Sequence, residues 1–248
     1  MDTSILLYVF VGFFAQMIDG AMGMAYGVSS NTFLLSIGVP PAAASASVHM
    51  AEVVTTGVSG FSHWRLGNIN WPLVRRLLIP GVLGGMSGAY LLTSIDGNII
   101  KPYIAAYLLI MGVVILIKAF NGVKENPEHS QRVGLLGLVG GFFDSIGGGG
   151  WGPIVTTTLV ARGDNPRFTI GSVNFAEFFV TFSESVVFVA TLNFFSYWKI
   201  ILGLLIGGVI AAPLAAIVAR KLPVRALMLM VGALIILLSI RTIFLALV

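Results

Sequence analysis

A backbone N–H or C=O left unpaired in hydrocarbon costs several kcal/mol, so long apolar chains can cross lipid only as helices or closed barrels. This chain reads as eight apolar runs, at 4–37, 42–60, 71–93, 99–118, 133–161, 168–192, 197–219 and 224–247. Most match the roughly 20 residues that a helix needs to span a bilayer. Only 10% of the residues are charged, where a soluble domain carries about 25%. Charges this sparse cannot cover a water-facing surface, so the chain is expected to be an all-α polytopic membrane protein. The formal charge of +4 reflects basic residues collected in cytoplasmic loops. It implies a lipid bilayer as partner and no nucleic acid. With no cysteine, disulfides and thiolate metal sites are excluded. The start, MDTSILLYVF, lacks a basic n-region and reads as mature chain.

The order of the runs is a duplication. The polar stretch NGVKENPEHSQR, 121–132, divides the chain into repeats at 1–120 and 133–248 and is expected to be a cytoplasmic linker. ASVHMAEVVTTGVS (46–59) matches GSVNFAEFFVTFSE (171–184) at an offset of 125, with Ser47/Ser172, Val48/Val173, Ala51/Ala176, Glu52/Glu177 and Thr56/Thr181 identical. GFF recurs at 12–14 and 141–143, Trp71 recurs as Trp198, and Gly20 and Gly23 align with Gly147 and Gly150 at an offset of 127. A glutamate repeated in context within an apolar run is hard to obtain by chance.

Basic residues discriminate between topologies. Eight simple spans with the N-terminus inside put 8 of the 14 Lys and Arg residues inside and 6 outside. If 4–37 and 133–161 are instead hairpins that enter and leave on one side, the repeats are inverted, and the split becomes 11 inside against Lys101, Lys199 and Arg241 outside. Each repeat is then a Gly-broken segment, re-entrant or discontinuous, followed by three transmembrane helices.

FFDSIGGGGWGPIV, 142–155, carries the clearest break. Each glycine costs about 1 kcal/mol relative to alanine in a helix interior. Broken helices at matching places in two inverted halves are the best sequence pointer to a transporter's substrate site. Gly20 and Gly23 in one break, and Gly148, Gly149 and Gly150 in the other, are the candidate backbone contacts. A half-helix starting there aims free N–H groups at the midplane, which suits an anion. Trp151 is a candidate cavity wall. Gly84, Gly85 and Gly88 read better as a close-packing face.

Ser45, His49, Glu52, Thr56 and Ser59 share one helix face by their spacing, and Asn174, Glu177, Thr181 and Glu184 repeat it. Intramembrane ionisable groups usually face a cavity or a partner. Ser47, His49, Ser172 and Asn174 are therefore candidate substrate contacts, and Glu52 and Glu177 candidate coupling or gating groups. The structural alternative makes the glutamates caps for hairpin backbone, and His49 a plain hydrogen-bonding residue. Asp19 and Asp144 flank the breaks but do not align with each other. They too are candidates for gating, with helix capping or a cation site as the alternatives.

These glycine segments, DGAMGMAYG and IGGGGWGPIV, each precede a short Gly/Pro loop (GVPPAAASAS and RGDNPRFTIGS) and a polar-striped helix. The arrangement resembles the TauE/SafE family of membrane permeases over nearly the whole chain. Ala21, Met22 and Met24 depart from the family's glycine-dense first segment. The resemblance implies a secondary transporter in the prokaryotic plasma or inner membrane. Its expected substrate is a small sulfur-containing anion such as sulfite or an organosulfonate, moved with or without proton coupling. It implies no cofactor and no enzyme activity. Direction of transport and homo-oligomer formation stay open.

Three other readings compete. A cation or metal transporter could use Asp19, Glu52, Asp144, Glu177 and Glu184, although the sequence shows no tight His/Asp ligand cluster. An intramembrane enzyme would pair Ser87 with His49. An assembly factor would leave the duplicated breaks without a use.

Overall fold

Among the described residues every run forms mainly helix, as unpaired backbone in hydrocarbon requires. The structure is a computed structural model that describes residues 5–22, 26–121, 132–162, 164–218 and 224–247. The first run forms α1 (Ile5–Met22) and α2 (Tyr26–Ser36). Then follow α3 (Pro41–Arg65), α4 (Trp71–Ser94) and α5 (Gly97–Asn121). The fifth run forms α6 (Val133–Gly147), then a π-helical turn, Gly152–Thr156, that continues into α7 (Thr157–Ala161). α8 (Pro166–Thr191), α9 (Trp198–Val218) and α10 (Val224–Leu247) complete the chain. Most of the linker, 122–131, lies outside the described residues, as does Gly23.

Local chemistry sets the boundaries. Pro41 opens α3, where its missing N–H costs nothing. Asn70 caps α4 by accepting the Leu73 N–H at 3.3 Å. α6 stops because Gly148 turns left-handed, with φ 65°. The two broken runs therefore have unequal arms. α2, with 11 residues, is about 16 Å long, half of the roughly 30 Å hydrocarbon core.

Among the described residues, four helical stretches are long and apolar enough to cross a membrane: Trp71–Ser94, Gly97–Phe120, Phe168–Thr191 and Met228–Leu245. Shorter apolar helices lie at Ile5–Met17, Val133–Gly147 and Phe195–Ala211. α3 has 25 residues, but its polar stripe lowers its hydropathy below that of the four. Phe10, Ile79, Tyr103, Phe182 and Leu237 point outward, while Asn31, Ser45, His49, Asp144 and Glu184 are buried. An apolar exterior around a polar interior is the pattern of a chain solvated by lipid.

The principal packing pairs are α1 with α9, α4 with α6, α5 with α10 and α3 with α8. α3 and α8 run antiparallel where they touch: Gly57 lies against Phe178, Gly60 against Phe175, and the Asn174 amide donates to Ser59 Oγ at 2.9 Å. Small residues allow the closest approaches. A Cβ at Gly207 would meet Val9 and Phe13, and one at Gly84 would meet Leu138 and Phe142. One at Gly141 would strike the Gly81 carbonyl and the Gly85 N–H. Gly141→Ala is therefore expected to destabilise the α4–α6 contact by about 1–3 kcal/mol, read as a lower melting temperature of the detergent-solubilised protein.

Candidate functional site

Asp144, in the last turn of α6, organises the second break. Its Oδ1 accepts the N–H groups of Gly150 at 2.5 Å and Trp151 at 2.9 Å, and its carbonyl accepts the Gly149 N–H at 3.0 Å. One residue thus closes one helix and caps the next. Asp19 caps the next helix in the same way at the first break, where its Oδ1 accepts the Tyr26 N–H at 3.2 Å. Both contacts reach seven residues ahead. Asp19/Tyr26 and Asp144/Trp151 are therefore equivalent at an offset of 125, the register of α3 and α8.

That equivalence corrects the glycine alignment at 127, which left the two aspartates unmatched. In the 125 register Gly27 falls on Gly152, and both line the cavity described below. A second correction follows. The N–H groups of Gly148, Gly149 and Gly150, expected to be free for an anion, are already satisfied by Asp144, as is that of Trp151.

The breaks meet. A Cβ at Gly27 would touch the Gly148 carbonyl and Gly149 Cα, and the Asn31 amide from α2 donates to the Gly147 carbonyl at 2.5 Å. Gly20 lies in the last turn of α1. Beneath this junction is a cavity of about 300 Å³. Asp19, Tyr26 and Gly27 line it from the first break, and Asp144, Gly149 and Gly152 from the second. α3 contributes Glu52, Thr56, Ser59 and His63, and α8 contributes Asn174 and Glu177. Four carboxyl groups thus face one space, and among the described residues no Lys or Arg lines it.

The upper part of the α3 stripe goes elsewhere. His49 is fully buried, with Nε2 2.8 Å from Glu184 Oε2 and 3.6 Å from Asp144 Oδ2. Its Nδ1 lies 2.8 Å from the Ser45 carbonyl, which can only accept, so that nitrogen carries the proton. The hydroxyl of Ser45 in turn donates to the carbonyl of Ser145. The structure therefore contains a His/Asp/Glu cluster that the sequence did not display.

Other candidates lie apart from the cavity. Ser47 donates to Ala43 in its own helix at 2.7 Å. Ser172 accepts the Asn70 N–H at 2.7 Å and donates to Phe168 at 2.6 Å, tying down the turn before α4. Trp151 is fully buried, with its ring beneath Gly81 and Gly140 and Nε1 donating to the Val173 carbonyl at 3.2 Å. It packs the break rather than walling the cavity. Ser87 donates to Gly84 at 2.8 Å within its own helix.

Sequence reading gave Glu184 no site of its own, and it passed over Tyr26 and Tyr107. Tyr107 stacks on Phe143 at 5.2 Å and packs under Gly147 and Gly150. A signal for Glu184 did exist. His49 and Ser59 fall on Asn174 and Glu184 in the 125 register, so antiparallel crossing makes the His49–Glu184 contact the counterpart of the Asn174–Ser59 bond.

A family model described as Sulfite exporter TauE/SafE matches residues 8–242. A "Probable membrane transporter protein YtnM" of Bacillus subtilis (strain 168) is 41% identical over 246 residues, covering 96% of this chain and 82% of that protein. A "Probable membrane transporter protein" of Haemophilus influenzae (strain ATCC 51907 / DSM 11121 / KW20 / Rd) is 28% identical over 204 residues, 77% of this chain and 76% of that protein. No solved structure matches the chain.

Proposed function

The chain belongs to the sulfite exporter TauE/SafE family of membrane transporters, and on that premise we propose that it carries a small sulfur-containing anion, such as sulfite or an organosulfonate, together with protons. One observation carries this reading: both chain breaks and both polar stripes converge on a single cavity of about 300 Å³. The location is the prokaryotic plasma or inner membrane. The antiparallel α3–α8 contact supports two inverted halves, residues 1–120 and 133–248. So does the reciprocal packing, α1 on α9 and α6 on α4. Rocking of one half against the other would expose the cavity alternately to the two sides.

Protons enter through the electrostatics. An anion beside an ionised carboxylate at about 4 Å is opposed by roughly 1–4 kcal/mol, depending on local polarity. Asp19 and Asp144 spend an oxygen on backbone N–H groups. Glu52 and Glu177 remain to take up protons as the anion enters. In proteoliposomes, sulfite uptake is expected to follow an imposed pH gradient. Glu52→Gln and Glu177→Gln should each lower the gradient-driven rate about tenfold, equivalent to roughly 1.4 kcal/mol of barrier. Unchanged pH dependence in both variants would remove these two residues from coupling.

The same four carboxyl groups favour a second reading, transport of a cation. Parallel uptake of sulfite and of divalent cations separates the two, since only the transported species accumulates.

A further inference from the structure

The geometry points to a binding site for one divalent first-row metal cation at His49, Asp144 and Glu184, above the cavity and distinct from Glu52 and Glu177. Three side chains from three helices, α3, α6 and α8, each offer one donor atom, all within 4.8 Å of one another. Donors on one tetrahedral zinc-like ion, at about 2.0–2.2 Å each, lie roughly 3.3–3.6 Å apart. His49 Nε2 stands 3.6 Å from Asp144 Oδ2, within that range, and 2.8 Å from Glu184 Oε2, a contact that must open by about 0.5 Å to admit the ion.

The atoms converge. His49 Nε2 faces Glu184 Oε2 and Asp144 Oδ2, and Glu184 Oε1 beside them is buried without a hydrogen-bond partner. With Nδ1 donating to the Ser45 carbonyl, Nε2 is the nitrogen that faces the two carboxylates, and a metal would replace the proton it shares with Glu184. Outer contacts of this kind orient metal ligands. Asp144 has the same support, because Gly150 and Trp151 hold Oδ1 and leave Oδ2 facing the cluster.

Charge closes the argument. Two carboxylates face one imidazole in a site where all three side chains are buried, so the cluster is anionic even when His49 is protonated and pairs with both. Buried charge that is only partly compensated is costly, and a dication neutralises the two carboxylates. One imidazole nitrogen with two carboxylate oxygens suits zinc, cobalt, iron or manganese better than copper(I). Asp144 also lines the cavity, which gives the ion a way in. This site does not depend on which solute the cavity carries.

The test uses tag-free, detergent-solubilised protein and direct binding of Zn²⁺ and Co²⁺ by calorimetry. One equivalent is expected to bind, and the absorption spectrum of bound Co²⁺ should report a nitrogen-and-oxygen donor set of low coordination number. His49→Gln and Glu184→Gln should weaken binding by at least the roughly 10–100-fold that loss of a mere outer-shell partner costs. Asp96→Asn, at an exposed carboxylate in the turn before α5, should leave binding unchanged. The Co²⁺ spectrum needs no variant, so poor folding of a variant does not blunt the test. No stoichiometric binding to wild type at micromolar metal overturns the proposal, and a cluster that only takes up protons would give that result. Binding that survives in both variants also overturns it. Sulfite uptake, assayed separately, is not decided by either outcome.

Discussion

Replacing Gly149 by alanine is expected to abolish transport and most recovery of folded protein. Gly149 sits at φ 150°, and a Cβ there would strike the backbone of Gly27 and Val28. Unfavourable backbone conformations cost about 1–3 kcal/mol each, and the clash adds to that because Val28 is only 1% exposed and cannot move aside. Gly38 supplies the control. It has φ 92° but open space around its Cβ position, so Gly38→Ala pays the backbone term alone. The readouts are the monodisperse fraction on size exclusion and uptake in proteoliposomes. Equal losses in the two variants would mean that the junction between the breaks contributes nothing special.

Asp144→Ala is expected to be nearly as damaging, and Asp144→Asn much less so for folding. Alanine strands the Gly150 and Trp151 N–H groups in a buried site. Each buried donor without a partner costs about 1–3 kcal/mol, so the pair costs roughly 2–6 kcal/mol. Asparagine keeps an acceptor oxygen and loses the charge. Thermal melts in detergent should therefore rank wild type above Asp144→Asn, and that above Asp144→Ala. Asp19→Ala strands one described N–H, that of Tyr26, and should fall between wild type and Asp144→Ala. If Asp144→Ala melts with wild type, the capping role is wrong.

Both predictions rest on contacts that the sequence could mark but not place. The break at Gly148–Gly150 was legible because glycines in an apolar run have a local cost that some local geometry must answer. The stripe from Ser45 to Ser59 was legible because helical periodicity is local. The register between the halves was not. Glycines at 20, 23, 147 and 150 suggested an offset of 127, but glycine frees the backbone without stating which atom it must meet. The two aspartates settle the register, because a carboxylate that caps an N–H must sit a definite distance along the chain from it.

His49 and Glu184 show the same limit from the other side. Each was visible as an ionisable group in an apolar helix. Their separation of 2.8 Å depends on α3 and α8 crossing antiparallel, which no periodicity within either helix encodes. Likewise, Trp151 beside the glycines suggested a cavity wall. The close approach of α4 at Gly81 takes up its ring instead.

The sequence by itself determined a lipid-solvated helical chain, its eight apolar runs, its recurring motifs and its broken segments. These follow from hydrocarbon's refusal of unpaired backbone and from residue spacing, both of which act locally. Only the tertiary structure decided that Asp144 satisfies the break's N–H groups, that the breaks touch, and that the stripe divides between a carboxyl-lined cavity and a His/Asp/Glu cluster. Those outcomes depend on which helix faces meet and in which direction, and that is set by close packing among segments distant in the chain.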